Sequence, residues 1–342
     1  MGLGHVFFTA ANAVLPILLL ILLGYGLKKA GWVSGNFTKT GNKLVFNIFL
    51  PAMLFINVYD IDGIASIQWD VVLFVVAVIC LLFVLAIFIA VVTTKVPERR
   101  GVLMQCVYRS NFAIIGMPLA AALGGDEAMA ITAVISAFSI PLYNLFSVIA
   151  LTMFLKDEHG KQRDFKAVFR GIVTNPLILS VAAGFVLLGI RQVQADLFGE
   201  VIFSLKRDLK FLYTALSNLK SIASPLALVV MGAQFEFSAV KGMFKEIAAG
   251  TLSRLVIAPV VGIGLAILLS TRTGLLSCGP SEYPALVALY GSPMAVSAAV
   301  MAGQMRNDQQ LATQLVVWTS VFSILTVFLT VCIMMPAGLL AS

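Results

Sequence analysis

Long apolar runs dominate the chain, and short polar segments separate them. A helix needs about 17 to 25 mostly apolar residues to cross roughly 30 Å of hydrocarbon. Runs that meet this requirement cover residues 5–27, 44–60, 70–94, 101–124, 128–155, 168–190, 212–235, 247–270, 284–304 and 312–336. The pattern predicts ten transmembrane helices, called here the first to tenth spans, in an all-α polytopic membrane protein.

Two of these runs, the fourth and the ninth, are interrupted by glycine and proline at matching places. The fourth carries RSNFAIIGMP at residues 109–118, and the ninth carries ALYGSP at residues 288–293. Proline has no N–H and clashes with the preceding turn, so each interruption predicts a broken helix.

The prolines also repeat along the chain. Pro51 precedes Pro118 by 67 residues, and Pro225 precedes Pro293 by 68 residues. Matching interruptions in two halves of a membrane protein indicate internal repeats with a binding site between them. Because each half holds an odd number of spans, the second copy must enter the membrane from the opposite side. We therefore predict two inverted five-helix repeats in which the broken fourth and ninth spans cross.

These repeats set the predicted domain boundaries. The first repeat covers residues 1–155, a cytoplasmic linker covers 156–167, and the second repeat covers 168–342. Lys28 and Lys29 follow the first run, and no small-residue cleavage site ends it. We therefore expect a retained helix with its N-terminus outside, not a secretion signal.

The distribution of lysine and arginine supports this orientation. The cytoplasmic segments hold sixteen of these residues, namely Lys28, Lys29, Lys39, Lys43, Lys95, Arg99, Arg100, Lys156, Lys161, Arg163, Lys166, Arg170, Lys241, Lys245, Arg254 and Arg306. The outer segments hold six, namely Arg191, Lys206, Arg207, Lys210, Lys220 and Arg272. The positive-inside rule then places both termini outside the cytoplasmic membrane. The net charge of +7 reflects this topology beside anionic lipid, and it does not indicate nucleic-acid binding.

Composition agrees with a membrane protein and offers no enzymatic motif. Hydrophobic residues make up 60% of the chain, charged residues 11%, and the mean hydropathy is +1.00. The four cysteines form no close pair, and the two histidines, His5 and His159, lie at a helix end and in a loop. We expect no metal site and no cofactor. Nucleophile-elbow, phosphate-loop and paired-carboxylate motifs are absent, so the chain is not expected to be an enzyme.

The broken helices supply the candidate binding chemistry. A helix that restarts after a break exposes backbone N–H groups with partial positive charge, and these bind carboxylates. No Asp or Glu lies near the middle of any span, so the polar groups there are neutral or cationic and suit an anion. The predicted substrate-binding residues are Asn47, Ser110, Asn111, Gly116, Met117, Pro118, Asn144, Gly291, Ser292 and Pro293.

Four of these candidates and the neighbouring Arg109 have a structural alternative. Pro118 and Pro293 could be packing kinks, and Asn47 and Asn111 could form interhelical hydrogen bonds. Arg109 lies near the cytoplasmic end of its span, where it either binds the anion or extends toward the lipid headgroups. Extension to the headgroups is the simpler explanation for Arg109.

Several motifs carry a family resemblance. They are LGYGLKKAGW at 23–32, NKLVFN at 42–47, FLPAMLF at 49–55, RSN at 109–111, GMPL at 116–119, SPLAL at 224–228, MGA at 231–233, and Arg254-Leu255 with Ala258-Pro259. Over nearly its whole length the chain resembles the auxin efflux carrier family. That family includes bacterial malate- and malonate-permease-like members as well as plant auxin carriers.

The resemblance implies a fold related to that of the sodium/bile-acid symporters, with crossing prolines that match Pro118 and Pro293. It also implies a scaffold made of the first, second, sixth and seventh spans, a transport domain made of the others, and frequent homodimers. In plant members an Asn follows each crossing proline, whereas Leu119 and Met294 stand here. The long cytoplasmic loop of plant members is also absent, so a short bacterial-type carrier fits better than an auxin carrier.

These observations predict a secondary transporter of a small organic anion, a carboxylate such as malate, malonate or an auxin-like acid, that works by alternating access. A sodium-coupled symporter is the alternative, because neutral oxygens at broken helices can hold Na⁺. A membrane sensor or channel is a weaker alternative, since no span shows a continuous polar stripe. Coupling to H⁺ or to Na⁺ is left open.

Overall fold

The fold is known from a computed structural model of most of the chain. The described residues are 3–60, 68–155, 170 and 173–340, with the backbone alone described at 3, 5–7, 9–14 and 113. The predicted linker at 156–167, the start of the sixth span and His159 lie outside these residues, as do the first two and the last two residues.

Helices account for nearly all of the described residues. In chain order they are α1 (Leu3–Lys29), α2 (Gly35–Leu44), α3 (Leu50–Tyr59), α4 (Trp69–Thr93), α5 (Pro97–Tyr108), α6 (Met117–Met153), α7 (Pro176–Phe198), α8 (Leu205–Asp208), α9 (Lys210–Gln234), α10 (Ala239–Leu252), α11 (Ala258–Leu268), α12 (Glu282–Gly291), α13 (Val296–Gln304) and α14 (Gln309–Met334). Four wide π-helical turns continue these helices, at Val45–Phe49, Phe112–Gly116, Ser253–Ile257 and Leu269–Thr273.

Seven helical stretches of the described chain are long and apolar enough to cross a membrane. They are Gly35–Tyr59, Trp69–Thr93, Ile114–Met153, Pro176–Phe198, Lys210–Gln234, Ala239–Thr273 and Gln309–Met334. No β-strand occurs among the described residues. The prediction of an all-α polytopic membrane protein is thus confirmed, while the division into ten spans and two inverted repeats stays a prediction.

The longest of these stretches, Ile114–Met153, bends sharply at Gly125. Its backbone there has φ of 68° and ψ of −157°, a conformation that glycine adopts at little cost and other residues avoid. The bend falls between the predicted fourth and fifth spans. It separates two helical segments that run in different directions.

Three of the four wide turns stand immediately before a proline. Pro51, Pro118 and Pro259 each follow the end of a π-helical turn by two residues. A proline ring clashes with the carbonyl group four residues earlier, and the extra residue of a π turn moves that carbonyl away. The prediction that the fourth span breaks at Pro118 is therefore wrong, because the helix widens before this proline and continues through it.

Four helices pack side by side in a row: α1 against α9, α9 against α3, and α3 against α7. The closest approach joins α1 to α9, where a Cβ added to Gly24 would overlap the carbonyl group of Val229. In the same way a Cβ on Gly232 would overlap the carbonyl group of Ile21. Small residues allow this backbone-to-backbone packing in membrane helices. The two short helices α5 and α12 lie in the most buried part of the molecule, where every residue of α12 is buried.

Candidate functional site

Two breaks in the helices meet at the centre of the protein. After α5 ends at Tyr108, residues 109–111 are non-helical, and helical structure resumes at Phe112. After α12 ends at Gly291, residues 292–295 are non-helical, and α13 starts at Val296. We call these two segments together the crossing.

Main-chain hydrogen bonds join the two segments of the crossing. The Asn111 N–H donates to the Pro293 carbonyl at 2.7 Å, and the Ala295 N–H donates to the Arg109 carbonyl at 3.3 Å. Ser110 and Met294 thereby form an isolated antiparallel bridge. The interrupted segments do meet as predicted, but Ser110 lies opposite Met294, and Pro118 is not at the crossing.

Leu119 belongs to α6, beyond the wide turn, and takes no part in the crossing. The residue that follows Ser110 in the crossing is Asn111, so an Asn does stand at this break. Neither proline is followed directly by an Asn, since Leu119 follows Pro118 and Met294 follows Pro293.

A cavity of about 50 Å³ opens beside the crossing. By that measure it has room for about three or four water molecules, or for a carboxylate-sized group. Its walls come from α3, the first break, α6, α9 and the start of α13. The polar groups among the lining residues belong to Asn57, Arg109, Ser110, Asn111, Tyr143, Asn144, Ser224 and Ser297. Of the predicted site residues, Arg109, Ser110, Asn111 and Asn144 come together here.

The other predicted residues lie elsewhere. Asn47 is exposed on the turn before α3, and its amide donates to the Lys43 carbonyl at 2.8 Å, so it does not line the cavity. Met117 and Pro118 lie on α6 past the wide turn, and Pro118 is exposed. The structure therefore does not bring these three residues to the cavity.

Gly116, Gly291, Ser292 and Pro293 help to build the crossing. A Cβ on Gly116 would lie 3.3 Å from the Ala288 carbonyl, so glycine permits the close contact between the two broken helices. Ser292 donates from its hydroxyl to the Ala288 carbonyl at 2.5 Å, which caps the end of α12. Pro293 accepts the bond from Asn111 through its carbonyl oxygen. None of these four residues lines the cavity.

Arg109 is the central side chain of the cavity. It is only 4% exposed, and its guanidinium donates to Gln105 Oε1 (3.1 Å), Ser147 Oγ (2.8 Å), Met301 Sδ (2.8 Å), Asn144 Oδ1 (2.8 Å) and Ser297 Oγ (2.9 Å). The expectation that Arg109 extends to the lipid headgroups is wrong, because these five neutral acceptors hold it inside the protein. Within the described chain no carboxylate balances its charge.

The helix ends around the cavity add to this positive charge. Phe112 and Val296, the first residues of the two restarting helices, both line the cavity. The first N–H groups of a helix lack intrahelical acceptors and carry partial positive charge. The buried Asn111 Nδ2 group, also at the cavity, makes no hydrogen bond within the described part of the chain. Donors thus converge on this cavity from three directions.

Arg254 contacts the crossing but does not line the cavity, and it is completely buried. Its guanidinium donates to the backbone carbonyl groups of Val107, Leu289, Tyr290 and Ser292. Counting Arg254 among the charges of a cytoplasmic loop was therefore wrong, since it lies in the middle of the Ala239–Thr273 stretch. The remaining basic residues keep their excess on the predicted cytoplasmic side.

Sequence reasoning missed four polar residues of the cavity, Asn57, Tyr143, Ser224 and Ser297. Asn57 stands six residues after Pro51 in an otherwise apolar run. An isolated amide at that depth was a usable signal, because polar groups inside a membrane are rare and tend to be functional. Tyr143, Ser224 and Ser297 gave no such signal, because tyrosine and serine are common in apolar helices.

Comparisons with known proteins agree with this architecture. The family model described as membrane transport protein matches residues 9–331. An uncharacterized transporter of Methanocaldococcus jannaschii is 26% identical over 322 residues, which cover 93% of this chain and 96% of the relative. A second uncharacterized transporter, from Methanothermobacter thermautotrophicus, is 24% identical over 330 residues, which cover 94% of this chain and 97% of that relative. The chain belongs to the auxin efflux carrier-like family of membrane transport proteins.

Proposed function

We propose that this membrane transporter moves a small organic anion by alternating access, with its binding site in the cavity beside the crossing. The observation that carries the proposal is the buried guanidinium of Arg109, which lines the cavity and has only neutral partners among the described residues. A buried charge without a counterion is strongly unfavourable. An anionic substrate supplies the missing negative charge.

The sum of charges around the cavity favours a carboxylate substrate. Arg109 contributes one positive charge, and each of the two helix N-termini contributes about half a charge. A carboxylate can accept hydrogen bonds from Arg109, from Asn111 Nδ2 and from backbone N–H groups at once, and hydrogen bonds to a charged group are the strong ones. A dicarboxylate such as malate or malonate matches the total positive charge of Arg109 and the two helix N-termini better than a monoanion such as an auxin-like acid.

The packing of the helices is consistent with alternating access between two units. One proposed unit, the scaffold, contains α1, α3, α7 and α9 with the short α2. The other, the carrier unit, contains both broken helices together with α4, α6, α10, α11 and α14. Residues of α3 and α9, from the scaffold, line the cavity together with residues of the crossing and of α6, from the carrier unit. A site between two such units can face each side of the membrane in turn when one unit moves against the other.

We place this transporter in the cytoplasmic membrane, with both termini outside, as ten spans in two inverted repeats. The outer face of α7 is apolar and exposed at Leu179, Val186, Ile190, Val193 and Leu197. Spacings of three, four and seven residues put these side chains on one helix face. That face supports contact with lipid and with a second copy in a homodimer.

The experiment that tests this function is uptake by the purified protein in liposomes. We expect saturable uptake of labelled malate or malonate that accelerates when the same acid is present inside, as in a carrier. Other small carboxylates should compete, whereas organic and inorganic cations should not. Uptake of a cation that is not inhibited by added carboxylates would contradict the proposal. Uptake that never saturates would indicate a channel.

A further inference from the structure

Arg254 is a second buried cation that the proposed anion site does not use. It lies in the π-helical turn Ser253–Ile257, within a stretch apolar enough to cross the membrane. Its side chain is among the largest that the described structure buries completely. Burial of a guanidinium at this depth requires compensating acceptors.

Those acceptors are all backbone carbonyl groups at the ends of the two broken helices. Arg254 Nε donates to the Ser292 carbonyl at 2.9 Å, and Nη2 donates to the Leu289 carbonyl at 3.0 Å and the Tyr290 carbonyl at 2.6 Å. Nη1 donates to the Val107 carbonyl at 3.2 Å. One side chain therefore closes the C-terminal ends of both α5 and α12.

Charge explains why a cation is held there. The last carbonyl groups of a helix lack intrahelical donors, and each helix C-terminus carries about half a negative charge. Two such ends meet at this face of the crossing, so together they nearly balance one guanidinium. In transporters with broken helices, unwound carbonyl groups and helix C-termini of this kind coordinate the coupling Na⁺ or H⁺.

The following inference rests on the proposed function. We propose that Arg254 is a built-in cation that occupies the position of a coupling ion. Its charge makes anion binding independent of Na⁺. Its guanidinium holds the two helix C-termini together, and this contact directs the two helix N-termini toward the cavity. Arg254 is a positioning residue, since it contacts the backbone of the crossing and does not line the cavity. The sodium-coupled alternative would need this carbonyl cage to be open to a free ion.

The test removes the tethered cation and supplies a free one. Arg254→Ala leaves a space shaped for a guanidinium, so guanidinium ion at low millimolar concentration should raise the unfolding temperature of the variant and leave the wild type unchanged. The same ion should restore malonate binding that the substitution has weakened at least tenfold. Arg99→Ala is the matched control, because Arg99 pairs with Glu246 and Asp308 away from the crossing, and guanidinium should not rescue it.

Two further measurements keep the proposal testable if Arg254→Ala does not fold. Arg254→Lys retains the charge, and its malonate affinity should stay within about tenfold of the wild type and remain unchanged when choline replaces Na⁺. Wild-type unfolding temperature should likewise not depend on Na⁺. A wild type that Na⁺ stabilises, or a folded Arg254→Ala that guanidinium does not stabilise, overturns the proposal. Failure of the proposed function alone would look different. The wild type would then bind no carboxylate, while the effects of guanidinium and Na⁺ on the unfolding temperatures would be those expected here.

Discussion

Replacing Arg109 with Gln should abolish transport and weaken carboxylate binding by about 100-fold or more. Hydrogen bonds to a charged group contribute about 1.5–3 kcal/mol each, and every 1.4 kcal/mol is a factor of ten in affinity. Gln keeps a donor but loses the charge that the substrate would neutralise. The measurement is calorimetric titration of malonate into purified protein, with unfolding temperature as a check on folding.

Two other substitutions show whether the effect belongs to the cavity. Arg100→Gln removes a cation from α5, the helix that ends just before Arg109. Arg100 stacks on Phe154 and bonds the Thr94 carbonyl away from the cavity, so this substitution should leave affinity unchanged. Arg109→Lys keeps the charge without the five hydrogen bonds, so its malonate affinity should lie between those of the wild type and Arg109→Gln. If Arg109→Gln folds and binds malonate with wild-type affinity, the buried guanidinium is structural and the anion site lies elsewhere.

Joining α9 to α14 with a short thiol reagent should stop transport completely. Gln309 Nε2 of α14 donates to Gln234 Oε1 of α9 at 2.8 Å, so these residues link the carrier unit to the scaffold. A disulfide needs Cα atoms within roughly 7 Å, so a short bifunctional maleimide is preferred for two side chains that meet at their tips. Gln234→Cys with Gln309→Cys should lose uptake after the reaction, in a background without Cys80, Cys106, Cys278 and Cys332.

A matched pair inside the carrier unit provides the control for this crosslink. Gln68 Nε2 donates to Glu282 Oε1 at 3.1 Å. Gln68 directly precedes α4 and Glu282 begins α12, and both helices belong to that unit. Gln68→Cys with Glu282→Cys should react equally well and keep most of its transport. Transport that survives complete crosslinking of Gln234→Cys to Gln309→Cys would show that α9 and α14 do not move apart, and the division into two units would be wrong.

The sequence predicted the helices well because long apolar runs report directly on burial in lipid. The run at 70–94, for example, matches Trp69–Thr93 within a residue at each end. The bend at Gly125 likewise falls where a short polar segment separates two runs. These features depend on local composition, which a single sequence displays.

The position of the first break could not be predicted from proline alone. A wide π-helical turn absorbs the clash of Pro118, and such turns leave no mark in composition. The actual break at Ser110 is fixed by the bridge to Met294, a contact between residues far apart in the chain. Asn111 and Pro293 were identified, but their pairing required the fold.

The two buried arginines show the same limit. Arg109 and Arg254 both resemble headgroup or loop charges in the sequence, since each lies near the end of an apolar run or a predicted span. Their burial depends on acceptors from other helices, such as Ser147 and Ser297 for Arg109 and the end of α12 for Arg254. An arginine within an apolar run therefore deserves consideration as a site residue before its partners are known.

A structure of the protein determined with saturating malonate would locate the anion itself. We expect one carboxylate of malonate in the cavity beside the crossing, within hydrogen-bond distance of the Arg109 guanidinium and of Asn111 Nδ2. Malonate bound outside this cavity, or a cation found in the cavity, would contradict an anion site at the crossing of the two broken helices.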